Sequence, residues 1–319
     1  MIENFLIVAQ QVAILFVLMG FGAAMRRAGF FRENAIDGIV NVLILVVTPC
    51  LIVDVFQRPF DPAKLKGLGI AFAAAVLIHI VLIVLSRFAV RHGDGNVRRP
   101  LLLAAVFSNA GFMGLPLEQA VLGDEGAFYG VVYVVVFNLF MWSWGLRTMC
   151  GEGIRDQGSG IRGRGVSLKM WVNPGTVGLA LGAPLFFLSV KLPAVIGVPV
   201  HHMANLNTPL AMIVIGYSLM GARFGKVVRM GALYGATAVR LLVCPLLAIA
   251  VFYPFRHSLD RDMMLTTVIA ASAPVAAMVA MFATKFGRDV DVSVAVVSGT
   301  TLLSILTMPV VIAFAMAVL

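Results

Sequence analysis

The chain has 319 residues, 61% of them hydrophobic and 12% charged, with a formal net charge of +9. Ordinary soluble domains carry about twice that share of charge, and disordered chains lack the apolar mass, so both classes are excluded. The basic excess is not a nucleic-acid footprint, because it is confined to the connections between long apolar runs.

A membrane-crossing helix needs about 20 mostly apolar residues. Ten segments meet or approach that length: 4–24, 36–56, 67–89, 101–121, 126–147, 173–190, 204–222, 230–253, 263–284 and 291–317. The sixth is the weakest, because Pro174 and Pro184 interrupt it. The expected fold is an all-α integral membrane protein of ten transmembrane helices, with no length left for a soluble domain. Glu3 precedes the first apolar run and Arg26 and Arg27 follow it, an order that predicts an uncleaved first helix with its amino end outside.

In the second segment Thr48-Pro49 predicts a kink, and Thr208-Pro209 does the same in the seventh, with Asn205 and Asn207 nearby. These positions either line a substrate face or only shape an interface. His79, in the third segment, reads as a packed neutral residue or a proton carrier.

The fourth segment holds the most informative stretch, NAGFMGLP from Asn109 to Pro116. Gly111 and Gly114 permit close backbone approach, and Pro116 removes the amide that would bond to the Phe112 carbonyl. Lipid cannot satisfy a broken helix, so such a break must be packed in protein or line a cavity. Freed carbonyls can hold a cation, and the amino end of the following half-helix favours an anion. Ser108 and Asn109 add side-chain oxygens beside the break. The bland alternative is a proline kink with glycines for tight helix packing.

Asn138 interrupts the fifth segment, either as a site residue or as interhelical glue. The loop 148–172, rich in Gly and Arg, reads as a cytoplasmic linker. Arg240 lies well inside the eighth segment, where an ionised side chain is by default a functional candidate for holding an anion, unless it snorkels to the surface. In the ninth segment Ser272-Ala273-Pro274 lines up with Ser108-Asn109-Ala110 and predicts a second break, with Pro274 a further site candidate. Ser298, Thr300, Thr301 and Ser304 interrupt the tenth segment and are expected to bond back to their own helix, Thr300 also being a candidate ion ligand.

Placing the connections after odd-numbered segments on one side puts 17 Lys and Arg there, against six opposite. This positive-inside bias predicts both termini outside and the 148–172 loop in the cytoplasm of a plasma membrane, the bacterial inner membrane. The carboxylates Asp37, Asp54, Glu118, Asp124, Glu125, Asp289 and Asp291 all fall near predicted helix ends, so none is expected at the midplane, and Glu118 and Asp124 read as solvated caps or outer gate residues. Three couplings stay open: Na⁺ on Ser108, Asn109, Ser272 and Thr300, a proton elsewhere, or none. Cys50, Cys150 and Cys244 imply neither a disulfide framework nor a metal site, and no cofactor is expected.

The chain repeats itself weakly at an offset of about 160 to 164 residues: Thr48-Pro49 with Thr208-Pro209, His79 with Arg240, Ser108 with Ser272, and Gly123-Asp124 with Gly287-Arg288-Asp289. Five helices per half is an odd number, so the second half, 173–319, enters inverted relative to the first, 1–147. Secondary carriers are often built this way, with the site at the repeat interface. An intramembrane enzyme is disfavoured: the acids lie at the edges, and His201-His202 fall in an expected external loop. An ion channel or a non-transporting receptor on a carrier fold is the remaining alternative.

FSNAGFMGLPL with the following GDEGAFYGVVYVVVFN resembles the auxin efflux carrier family, including its bacterial malonate and malate carriers. WVNPGTVGLALG, TPLAMIVIGYSL, RLLVCPLL and TTLLSILTMP extend the resemblance over essentially the whole chain. It implies two inverted five-helix repeats, a scaffold of helices 1, 2, 6 and 7, and a transport domain of helices 3–5 and 8–10 in which helices 4 and 9 break and cross. The implied function is secondary transport of small organic anions in an elevator-like movement, compatible with a homodimer. The long cytoplasmic loop of many plant members is absent, which argues against auxin itself.

Overall fold

The computed structural model describes residues 2–30, 33–151, 174–221 and 225–319; most of the expected 148–172 linker lies outside them. Among the described residues the structure is all-helical, with no strand beyond an isolated bridge. The helices are α1 (Ile2–Arg27), α2 (Glu33–Val42), α3 (Thr48–Val55), α4 (Pro62–Ala89), α5 (Gly95–Val106), α6 (Leu115–Phe140), α7 (Leu146–Cys150) and α8 (Pro174–Phe187). They continue with α9 (Ala194–Asn205), α10 (Asn207–Leu219), α11 (Gly231–Ala238), α12 (Cys244–Phe252), α13 (Arg261–Ser272), α14 (Met278–Lys285) and α15 (Val290–Val318).

Among the described residues six stretches are long and apolar enough to cross a membrane: Phe5–Arg27, Ala35–Val55, Pro62–Ala89, Ala110–Cys150, Gly231–Phe255 and Val290–Val318. Their outer faces carry exposed apolar side chains, such as Val17 and Phe21 on α1, Val84 and Phe88 on α4, and Leu306 and Val310 on α15. In a membrane protein these rows face lipid. Of the other expected segments, the sixth is the single shorter helix α8. The fourth and ninth break, and the seventh is split at Leu206 between α9 and α10.

Proline accounts for most of the irregular turns. Single π turns at Leu43–Val47, Ala110–Gly114 and Val239–Val243 each precede a helix whose second residue is proline: Pro49, Pro116 and Pro245. Proline has no N–H and its ring crowds the carbonyl four residues back, so the preceding turn widens. The fourth π turn, Met141–Gly145, lacks a proline; there Ser143 Oγ donates to Leu139 O at 2.5 Å, a side chain entering the backbone ladder.

The 41 residues of Ala110–Cys150 would extend about 60 Å as one helix, twice the hydrocarbon thickness. Gly123, with φ 65° and ψ −149°, reverses the chain instead. A Cβ on Gly126 would strike the Glu118 carbonyl and one on Gly130 the Glu118 carboxylate, so residues 115–118 lie directly against 126–130. The end of the fourth segment and the fifth segment are therefore a tight helical hairpin. The approach of α1 to α10 is similarly close: a Cβ on Gly22 would overlap the Ile213 backbone, and one on Gly216 the Met19 backbone.

Apolar packing forms two clusters. The larger joins α4, α5, α6, α11, α12, α13 and α15, with α3 and Phe186 at its edge. The smaller is built from α1, α10, Leu43 and Val47, and is closed by Met113, Leu117, Ile269, Ala273, Met308 and Ile312.

Candidate functional site

The two broken segments meet. The fourth leaves helical geometry at Phe107–Asn109, between α5 and the π turn; the ninth does so at Ala273–Ala277, between α13 and α14. The breaks pair antiparallel. Asn109 N donates to Pro274 O at 2.7 Å, Ala276 N donates to Phe107 O at 3.0 Å, and Ser108 faces Val275. In space Ser108 lies opposite Val275, three residues beyond the Ser272 that it matches in sequence. Val275 N donates to Thr300 Oγ1 at 3.1 Å, which ties α15 to the crossing. Backbone groups freed by both breaks are thus largely satisfied inside the protein, as the membrane interior requires.

Two half-helices, α5 and α13, end at this crossing, and each presents carbonyls with partial negative charge. Arg240, completely buried in the π turn before α12, takes one from each. It donates from Nη1 to Val106 O at 2.7 Å, and from Nη2 to Ala271 O and Cys244 Sγ, both at 2.5 Å. It does not snorkel. A single guanidinium fork clamps both carboxyl ends. Arg240 Nε, Ser108 Oγ and Tyr133 Oη are buried beside one another at the crossing.

On the other side of each break the amino ends are freer. First-turn amides have no intrahelical acceptor, and the partly exposed residues there are Gly111 and Phe112 after the first break and Ala277 and Met278 after the second. Asn109 is 6% exposed, and its amide side chain makes no hydrogen bond within the described residues. With its carboxyl ends covered by a cation and its amino ends open, the crossing carries a net positive character suited to an anion.

The remaining sequence candidates divide. Pro116 heads α6 after the π turn, and Gly114 lies buried against Ala270 and Glu118. Ser272 Oγ donates to Val268 O at 2.6 Å, and Thr300 Oγ1 to Val296 O at 2.7 Å, so both hydroxyl protons are held within their own helices. Asn138 Nδ2 donates to Val134 O at 2.8 Å, one turn back in α6. Thr48 Oγ1 donates to Leu43 O at 2.9 Å across the π turn before Pro49, whereas Thr208 and Pro209 lie in the first turn of α10. His79 Nδ1 is 2.8 Å from Ala75 O, and its ring stacks on Phe140.

Two expectations fail. His201 and His202 lie in α9, not in a loop: His201 Nδ1 is 2.9 Å from Asp54 Oδ2, and Asn205 Nδ2 is 3.0 Å from the other ring nitrogen. Glu118 is not a solvated cap. It is completely buried, and neither carboxylate oxygen has a hydrogen-bond partner. The Gly123 reversal folds the fifth segment over it, and the readable signal is the four-residue spacing of Gly126 and Gly130 just beyond an acid.

A cleft of about 860 Å³ opens where the α3–α4 connection, the Gly123 turn and α9 come together; its lining includes Asp54, Arg58, Lys64, Gln119 and Glu125. Arg58 pairs with Glu125 at 3.0 Å, and Lys64 with the same oxygen. The crossing residues do not line this cleft; Gln119, next to Glu118, does.

A family model described as "membrane transport protein" matches residues 7–159 and 163–312. An uncharacterized transporter of Methanothermobacter thermautotrophicus is 26% identical over 311 residues, covering 94% of this chain and 96% of that protein. An uncharacterized transporter of Methanocaldococcus jannaschii is 22% identical over 307 residues, covering 92% and 94%. The apolar spans, the packed helix breaks and these matches agree, and the chain belongs to the membrane transport protein family, that of the auxin efflux carriers.

Proposed function

We propose that the protein is a secondary active transporter of small organic anions, mono- or dicarboxylates such as malonate or malate, working by alternating access. The observation that carries this reading is the charge asymmetry of the crossing. Arg240 covers the carboxyl ends of α5 and α13, while the amino ends after both breaks stay open around Asn109. A carboxylate would be held by amides near Gly111 and Ala277 and oriented by the Asn109 amide. Arg240 acts on it through the two half-helices it joins.

Alternating access follows from a division of the chain. α1–α3 and α8–α10 serve as scaffold; α4–α7 and α11–α15 move as the transport domain in an elevator-like step. The two apolar clusters support the division, because the larger lies mostly within the second set, and the smaller joins α1 and α10 to it at Met113, Leu117, Ile269 and Ala273. The sequence offset of about 160 to 164 residues and the paired breaks support an inverted repeat. The basic connections favour a plasma membrane placement with both termini outside.

The test is uptake of labelled malonate and malate into proteoliposomes by the wild type and Asn109→Ala. The mutant is expected to insert and fold normally, yet lose uptake by at least about tenfold, a deficit of ~1.4 kcal/mol. Unimpaired uptake would remove Asn109 from the site.

A further inference from the structure

Glu118 is a carboxylate in a glycine cradle inside a membrane protein. It is completely buried, both oxygens lack partners, and a Cβ on Gly130 would occupy the space its carboxylate fills. Gly114, one turn back, lies 3.4 Å from Oε1 measured from the Cβ it lacks, and beyond it is Ala270 of α13. No ion pair reaches Glu118 among the described residues.

The elements packed against α6 have their charged and titratable groups elsewhere. On α4, Lys64 pairs with Glu125, and His79 Nδ1 is bonded to Ala75 O. On α3, Asp54 faces His201; on α1, Arg26 donates to Tyr217 O, and Arg27 ends the helix. On α13, Arg261 and Asp262 occupy the first turn, with Arg261 donating to Met316 O. Within α6 itself, Asp124 and Glu125 line the cleft, Tyr129 lies against Gly67, and Tyr133 lies beside Arg240. An ionised carboxylate without a partner costs several kcal/mol in such surroundings, whereas the neutral acid costs far less. A cation would need several oxygens, and the two hydroxyls that α13 carries one turn from Ala270 donate within their own helix, Thr266 to Asp262 O and Thr267 to Met263 O.

We propose that Glu118 is a proton-binding site. It carries a proton in this conformation and exchanges it with water through the cleft that Gln119 lines, so that a proton gradient drives movement at the neighbouring crossing. This rests on the transport reading above. The exchange needs no co-reactant: an O–H bond forms on one carboxylate oxygen with a proton taken from hydronium, and the same bond breaks to return it. Gln119, the residue after the acid, lines the cleft together with Asp124 and Glu125, and sliding of the transport domain would open the remaining distance.

Two measurements test it on the purified full-length protein. Infrared spectra of wild type minus Glu118→Gln at neutral pH should contain the carbonyl band of a protonated carboxyl, shifted in D₂O; its absence overturns the proposal. If Glu118→Gln fails to insert, dicyclohexylcarbodiimide, which labels protonated acids in apolar surroundings, should modify Glu118 of the wild type, as mapped by mass spectrometry. No label on Glu118 would equally overturn it. In proteoliposomes with labelled malonate or malate, the wild type should accumulate the anion when the outside is acid. Glu118→Gln should still exchange labelled for unlabelled anion, but lose gradient-driven accumulation by at least tenfold. Wild-type accumulation indifferent to pH overturns the coupling. If the wild type moves neither anion, the transport reading fails for those anions, and the infrared band or the label decides the proton site alone.

Discussion

Arg240 illustrates how a single side chain can make an irregular membrane fold affordable in energy. Breaking two helices within the bilayer strands carbonyls that would each cost several kcal/mol unsatisfied, and one guanidinium takes Val106 O and Ala271 O together. Arg240→Met should therefore lower stability by ~3 kcal/mol or more, since each hydrogen bond to a charged donor contributes about 1.5–3 kcal/mol. Arg240→Lys, with one point-like ammonium, should fall between the two. Denaturant unfolding in detergent checks the order; a wild-type midpoint for Arg240→Met would refute the clamp. The residue's importance was legible in the sequence, because a charge inside an apolar run is conspicuous. Its role was not, because the carbonyls it meets come from α5 and α13, far away in the chain. Glu118 was misplaced for a related reason. Counted along the sequence it ends a hydrophobic run, and only the Gly123 reversal brings Gly126 and Gly130 over it.

Among the elements, the helical hairpin around Gly123 is the most constrained. Gly130→Ala should cost ~1–3 kcal/mol, because the new methyl takes the space of the Glu118 carboxylate. Combining it with Glu118→Ala should recover much of that loss, giving a coupling of at least ~1 kcal/mol in a double-mutant cycle. Additive losses would mean that the two residues do not share the space. The α1–α10 contact makes a parallel prediction. Gly216→Val would put a branched Cβ into the Met19 carbonyl, and α1 must separate from α10; a sharp drop in thermal stability is expected, and an unchanged melting temperature would refute the packing. The break in the fourth segment lies earlier than Pro116, at Phe107–Asn109. The break in the ninth was readable from Pro274, and the π turns from Pro49, Pro116 and Pro245, since proline acts on its own backbone. The register of the crossing was not, because Ser108 meets Val275 through backbone pairing that no side chain advertises.

At the scale of the molecule, composition and apolar length were enough to identify a multi-pass membrane protein, and the breaks were enough to suggest a carrier. The division into α9 and α10 at Leu206 escaped that reading, because His201 and His202 interrupt the apolar pattern that marks a span, although the helix there continues. A carrier and a channel differ in one property the whole molecule must express: a carrier binds its anion at each cycle. The most direct test is the concentration dependence of labelled malonate and malate uptake into proteoliposomes, with membrane current recorded in parallel. The crossing site predicts uptake that saturates and that is lost in Asn109→Ala. A flux that rises linearly with concentration, accompanied by an ohmic current and indifferent to Asn109, would contradict it.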